Sequence, residues 1–244
     1  MSTGRESHRA PRLDLLYEAR DLVVINKPAG LLTMPSAPGR AEHEDSVLAR
    51  ARAYARHKLG RRWYAGLLHR LDRGTSGALA IALSPAVHTE GRSLFKAHAF
   101  ERTYLALVRG SPAADTGTID RPIAEAYTSG RRRLAEPGEP SLPARTHYQV
   151  RERFGRDASL LEVTLDTGRQ HQIRLHLSSI GHPVVGDRVY GEGGSADRRD
   201  RPMLHAWRLA FPHPISQARI EVEAPVPPDF TRAARMWRQR LQRA

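Results

Sequence analysis

His69 to Gly77 reads HRLDRGTSG: a histidine, two arginines, an aspartate, two hydroxyl residues and two glycines in nine positions. Such a run is a tight turn, a solvated loop or a reactive site. A serine nucleophile would need glycines in G-x-S-x-G spacing, which Gly74-Thr75-Ser76-Gly77 lacks, and His69 with Asp72 three residues on does not make a triad. What is left is one carboxylate, Asp72, flanked by Arg70 and Arg73 and followed by a glycine-bounded turn that can hold it at the floor of a cleft. On residue types alone, an aspartate that caps a turn and pairs with arginine is the better explanation of the stretch.

Working outward, Leu79 to Leu83 reads as a strand, and Ser84-Pro85 starts a helix to about His98, because serine caps and proline fits the first turn. Gly91 in that helix is a close-packing position. Upstream, Leu22 to Asn26 (LVVIN) is a buried strand entering a turn at Lys27-Pro28-Ala29-Gly30, where proline at i+1 and glycine at i+3 suit type I. Glu44-Asp45-Ser46 offers an N-cap for a helix to about Lys58, with Val47, Ala51, Tyr54 and Ala55 on one face and Gly60 at its stop. Downstream, Arg102 to Arg109 is strand-like, and Tyr127 to Pro143 has neither periodicity and reads as a long exposed excursion carrying Arg131, Arg132 and Arg133. Tyr148 to Arg151 and Ser159 to Leu165 pair as strands. A helix is expected over about Arg169 to Ile180, with Ile173, Leu177 and Ile180 on one face. Gly191 to Gly194 reads as a turn, Trp207 to Phe211 as a strand, and Asp229 to Leu241 as a helix docked through Phe230, Ala234, Trp237 and Leu241. Strands without regular helical crossovers imply an α+β domain with a mixed, largely antiparallel central sheet flanked by helices and loops.

The 244 residues contain no cysteine, which removes disulfides, thiolate zinc sites and cysteine nucleophiles. His171 and His176 are five apart with no glutamate in HExxH spacing, so no metal site is expected. No run of about 18 apolar residues and no signal peptide are present, so a cytoplasmic protein without membrane contact is expected. The net charge is +13, and only three of the 39 basic residues are lysines (Lys27, Lys58, Lys96). Arginine, with a planar fork suited to phosphate, points to a polyanionic partner.

Taken with NKPAG, RTYLALVRG, LDTGRQHQIRLHLSSIGHPVVGDRVYG and LHAWRLAFPHP, the opening motif resembles in order and spacing the RluA family of RNA pseudouridine synthases. The blocks run from Leu22 to Pro214, most of the chain. The resemblance implies the pseudouridine synthase fold and an isomerase without cofactor. It would flip a uridine of rRNA or tRNA out of its stack, cut its N1 glycosidic bond, and rejoin the base through C5. It implies Asp72 as the essential carboxylate, Tyr104 as the tyrosine beside the base, and Arg174 as the partner of Asp72. Arg70 would fill the gap left by the nucleotide, and Arg73, Arg169 and His171 are further candidate RNA contacts. Arg102 stands where the family often has lysine before the x-Tyr. LVVINKPAG begins about twenty residues in, leaving no space for the N-terminal RNA-binding domain of many relatives. Residues 1–12 are therefore expected as a flexible tail and 13–244 as one catalytic domain, acting as a monomer.

The chemistry is consistent with one acid. Cleavage develops positive charge at C1′, which a carboxylate can stabilise, trap covalently, or relieve by taking the 2′ proton. Hydrolysis of a glycoside normally needs two carboxylates, whereas an isomerase that keeps its leaving group and excludes water works with one. A non-catalytic RNA-binding protein that has kept the fold explains the charge equally, but does not require Asp72, Tyr104 and Arg174 together.

Overall fold

The computed structural model describes residues 13–36, 44–128, 131–191 and 201–242. One ten-stranded sheet runs in the order β1 (Leu15–Glu18), β2 (Leu22–Lys27), β4 (Ser76–Ala82), β11 (Leu204–Pro212), β5 (Glu101–Arg109), β10 (Ala158–Leu165), β9 (Arg145–Phe154) and β6 (Thr116–Asp120). Two further strands join it, β3 (Gly66–Leu67) beside β4 and β12 (Arg219–Glu223) beside β11. A separate pair is formed by β7 (Ile123–Ala124) and β8 (Ser141–Leu142). Of these strand pairings only β4 with β11 is parallel, so the sheet is mixed and largely antiparallel.

Both faces of the sheet are covered. Successive side chains of a strand point to opposite faces. Val23 and Ile25 accordingly pack with α1 (Val47–Leu59) and α3 (Gln172–Ser179), while Leu22 and Val24 pack with α2 (Pro85–Lys96). Further along that second side, Leu105 and Leu107 of β5 meet Phe230 and Trp237 of α4 (Pro228–Leu241). Burial on both sides explains why LVVIN and the fully buried β4 show no polar alternation. The helix starts follow their caps: Ser46 Oγ accepts from Ala49 N at 3.2 Å and Ser84 Oγ from Val87 N at 3.3 Å.

Where β4 crosses β11, Ser76 pairs with His205 and Gly77 with Ala206. Gly77 has φ +114°, and a Cβ there would lie 2.1 Å from Ala206 O, so only glycine lets the two backbones meet. Gly91 is also closely packed, its missing Cβ falling 2.7 Å from Leu68 Cδ2, in line with the close-packing expectation.

Four local expectations change. Gly30 has φ +87° and the bend falls on Ala29 and Gly30, one residue later than a type I turn begun at Lys27. The third helix begins at Gln172 instead of Arg169, because His171 is left-handed (φ +59°) and Gln172 N closes a turn on Arg169 O. The described residues between Tyr127 and Pro143 form a flap that is largely exposed, as expected, but tied down by guanidinium contacts. Its Arg133 forks onto Glu139, Arg132 donates to Ala124 O and Glu125 O over the Tyr127 ring, and Arg131 donates to Val189 O. Leu241 is 49% exposed, and Ala233 takes its place in the buried face of α4. The Gly191 to Gly194 turn falls outside the described residues beyond Gly191.

Candidate active site

Asp72 lies in the loop between β3 and β4, and that loop is fastened from below by the NKPAG segment. Lys27 is fully buried and its Nζ donates to Leu31 O (2.7 Å), Pro28 O (3.0 Å) and Arg73 O (3.3 Å). Burial pushes its pKa down to about 8, against the pull of the Asp72 charge. Gly30 N donates to Arg73 O (2.8 Å), and Thr33 Oγ1 donates to Leu71 O (2.6 Å). Arg201, forked onto Asp229, holds the other side through Gly74 O (3.2 Å). The two motifs that read separately in sequence form one backbone unit that carries the half-buried Asp72.

Arg174 reaches this carboxylate from α3, with Nη1 to Asp72 Oδ2 at 3.2 Å. Its other nitrogens fork onto Asp187, Nε to Oδ2 at 2.6 Å and Nη2 to Oδ1 at 2.8 Å. Asp187, with a fully buried side chain, also accepts from Val189 N (2.9 Å) and Tyr190 N (3.2 Å). Burial works to raise its pKa, but Arg174 and these N–H donors outweigh it and hold the carboxyl below the usual range. Arg174 is therefore anchored by Asp187 and presents one nitrogen to Asp72. The sequence reading, which paired Arg174 with Asp72 alone, did not single out Asp187, although GHPVVGDRVYG contains it.

The remaining residues of TGRQHQIRLH divide by role. Gln172 accepts from Thr167 Oγ1 and Arg169 N and donates to Arg145 O. One turn on, His176 bonds Thr146 Oγ1 and Arg121 O, each at 2.9 Å. These two fix α3 against β9, leaving Arg174 for the cleft. His171 bonds the Tyr190 hydroxyl through Nδ1 (2.9 Å) and brings Nε2 to 3.8 Å from Asp72 Oδ2. Burial lowers its pKa, opposed by Asp72. His69 is scaffold: Nε2 accepts from Ala80 N (3.1 Å), the ring stacks on Phe95, and burial pushes its pKa down to about 3.

Asp72, Tyr104 and Arg174 line one cleft of about 280 Å³, together with Arg70, Arg169 and His171. Arg73 is not in its lining; its Nε donates to Gly30 O at 3.0 Å. Tyr104, on β5, is 8% exposed, and burial raises its phenol pKa, so the hydroxyl stays protonated at neutral pH. Leu71, Phe95 and Ile173 make the walls apolar, a suitable slot for a flat ring. Among the described residues Asp72 is the one acid in the lining, set among basic groups that include Arg92, Lys96 and Arg102. Arg92 and Lys96 were legible only as i, i+4 neighbours on α2, a spacing that puts them on one helix face.

The family model for RNA pseudouridylate synthase matches residues 21–179. An uncharacterized RNA pseudouridine synthase of Bacillus subtilis, YhcT, is 36% identical over 92% of this chain and 72% of its own length. The ribosomal large subunit pseudouridine synthase D of Zymomonas mobilis is 34% identical over 93% of this chain and 74% of its own. Among solved structures, human RNA pseudouridylate synthase domain containing 1 superposes with a TM-score of 0.71 at 31% identity, covering 92% of this chain and 86% of that one. The human domain containing 4 has a TM-score of 0.77 at 24% identity and shares the fold.

The family model, which spans most of the chain, and the named relatives make this an isomerase that acts on RNA: the chain belongs to the RNA pseudouridylate synthase family. Within it the chain falls in the RluA family, to which the matched large-subunit enzymes belong.

Proposed function

We propose that the protein converts a uridine of structured RNA to pseudouridine, taking the nucleotide out of its stack into the cleft and acting on it with Asp72. The observation that carries this reading is Asp72 itself, the one acid among the described residues of a basic cleft, held by Arg174 and overlooked by Tyr104. The carboxylate meets the charge that develops at C1′ when the N1 bond breaks, and Arg174 fixes its rotamer. Extruding a nucleotide costs a few kcal/mol and stacking on an aromatic ring returns about 1–3, so Tyr104 offsets much of the cost. A phenol kept protonated by burial supports stacking ahead of proton abstraction in the resting enzyme. Of the two RNA classes, rRNA is favoured, because several relatives are named ribosomal large subunit pseudouridine synthase D.

The test is direct. Ribosomal RNA and tRNA transcripts are incubated with wild type and with Asp72→Ala, and pseudouridine is mapped by carbodiimide adducts. Signal from wild type alone is expected; no signal from wild type, or equal signal from both, overturns the reading.

A further inference from the structure

Arg102, two residues before Tyr104 on β5, is 7% exposed and lines the cleft. Its guanidinium lies over Phe95 at 4.9 Å, and Nη2 reaches Leu165 O only at 3.5 Å. Its buried Nε has no hydrogen-bond partner, and no carboxylate among the described residues forms an ion pair with it. A guanidinium keeps its charge in proteins, and a buried charge left unpaired is strongly unfavourable. The chain nevertheless makes room for it. A Cβ on Gly168 would lie 2.4 Å from Arg102 Nη1, and Gly168 has no left-handed φ that would require glycine for another reason. Any larger residue at 168 would displace the end of the Arg102 side chain. The guanidinium lines a base-sized slot, and no carboxylate among the described residues neutralises its charge there.

We propose that Arg102 is a second catalytic residue, donating to a carbonyl oxygen of the flipped uracil and holding the negative charge of the ring as the N1–C1′ bond breaks. This rests on the isomerase reading above. The bond pair leaves with N1 and spreads onto O2 and O4, where Arg102 receives it, while Asp72 meets the electron-poor C1′. After the ring turns, C5 bonds to C1′ and loses its proton, and N1 gains one, so atoms and charge balance. Asp72 and Arg102 act at the two poles of one bond. A phosphate is the less suitable partner, because the arginines placed to meet a backbone, Arg70 and Arg92, stand exposed at the rim.

Three variants test this against wild type: Arg102→Gln, Arg102→Lys, and Gly168→Ala, which keeps Arg102 but pushes its flexible end aside. Single-turnover rate at saturating RNA and RNA affinity across salt are measured for each, on folded protein verified by thermal melt. Removing one preorganised donor to a developing anion typically costs about 10²- to 10³-fold in rate. Arg102→Gln is expected to lose that much with affinity changed by less than about threefold, Arg102→Lys to recover much of it, and Gly168→Ala to slow the reaction with Arg102 intact. Should Arg102→Gln not fold, the other two variants carry the same comparison. A full rate at saturation for the variants, or weakened affinity with a shallower salt slope and an unchanged rate, overturns the proposal. An inactive wild type would instead overturn the isomerase reading, so the two failures are distinct.

Discussion

At His69, the Ala80 N–H donated to Nε2 and burial against Phe95 keep the imidazole neutral, with its pKa pushed down to about 3. The unfolded chain takes up that proton near pH 6.5, so between those values the unfolded state binds more protons and acid lowers stability. One such group is worth at most about 1.4 kcal/mol per pH unit inside that window. His69→Gln retains an acceptor for Ala80 N and is expected to flatten the fall of the urea midpoint between pH 6.5 and 4. An unchanged slope would assign the acid sensitivity to His171, His176 and His205, whose pKa values burial also lowers. Residue identity was legible where the motif placed a group at the cleft, as for Asp72, Tyr104 and Arg174. It was not legible for Asp187, whose importance comes from holding Arg174 of α3 from thirteen residues further along the chain. No local periodicity marks such a pairing. Arg73 shows the converse, a charge beside the motif aspartate whose side chain fastens Gly30 instead of lining the cleft.

Among elements, those with a cap and a periodic face were readable, and those shaped by side-chain contacts were not. Ser46 and Ser84 announce α1 and α2 because capping is a local interaction. The start of α3 depends on a left-handed His171 and on Gln172 bonding back to Arg169, which no propensity encodes. The flap around Arg131 to Arg133 is ordered by guanidinium contacts between residues that looked like a solvated charge run. The β4–β11 crossing makes the sharpest demand. Gly77→Ala places a Cβ against backbone, which cannot swing aside, at a φ that L residues avoid. Roughly 1–3 kcal/mol of backbone strain and a similar overpacking cost are expected together. At about 2–4 °C per kcal/mol for a chain of this size, the melting temperature should fall by roughly 5–20 °C. A shift under 2 °C would mean that the strands separate here more easily than the geometry allows.

For the whole molecule, part of the net charge of +13 stands open at the cleft mouth. Arg70 and Arg92 are exposed there with Lys96, and none of the three has a hydrogen bond or ion pair within the described chain. RNA affinity is therefore expected to fall steeply with salt. If six or more phosphates are contacted, the loss is about 10³-fold or greater between 50 and 200 mM. Replacing Arg92 and Lys96 together by glutamine should shallow the log–log slope by roughly one to two units. A slope unchanged by the pair would move the RNA path off α2. Composition announced this property of the surface, but not where on it the charge gathers, because that depends on which helix face the sheet leaves outward.

The Ser76 Oγ to His205 Nδ1 contact, 2.9 Å across 129 residues of sequence, also sets a schedule. At roughly 5–20 residues per second, synthesis of that interval takes on the order of 6–26 seconds. Throughout it the Asp72 loop has been made while β11, its parallel neighbour, has not. Closing so long a loop carries an entropic cost of about 4 kcal/mol beyond the constant part, recovered only when the strands pair. The site is thus begun early and completed late, and the cleft cannot assemble until residue 206 has left the ribosome.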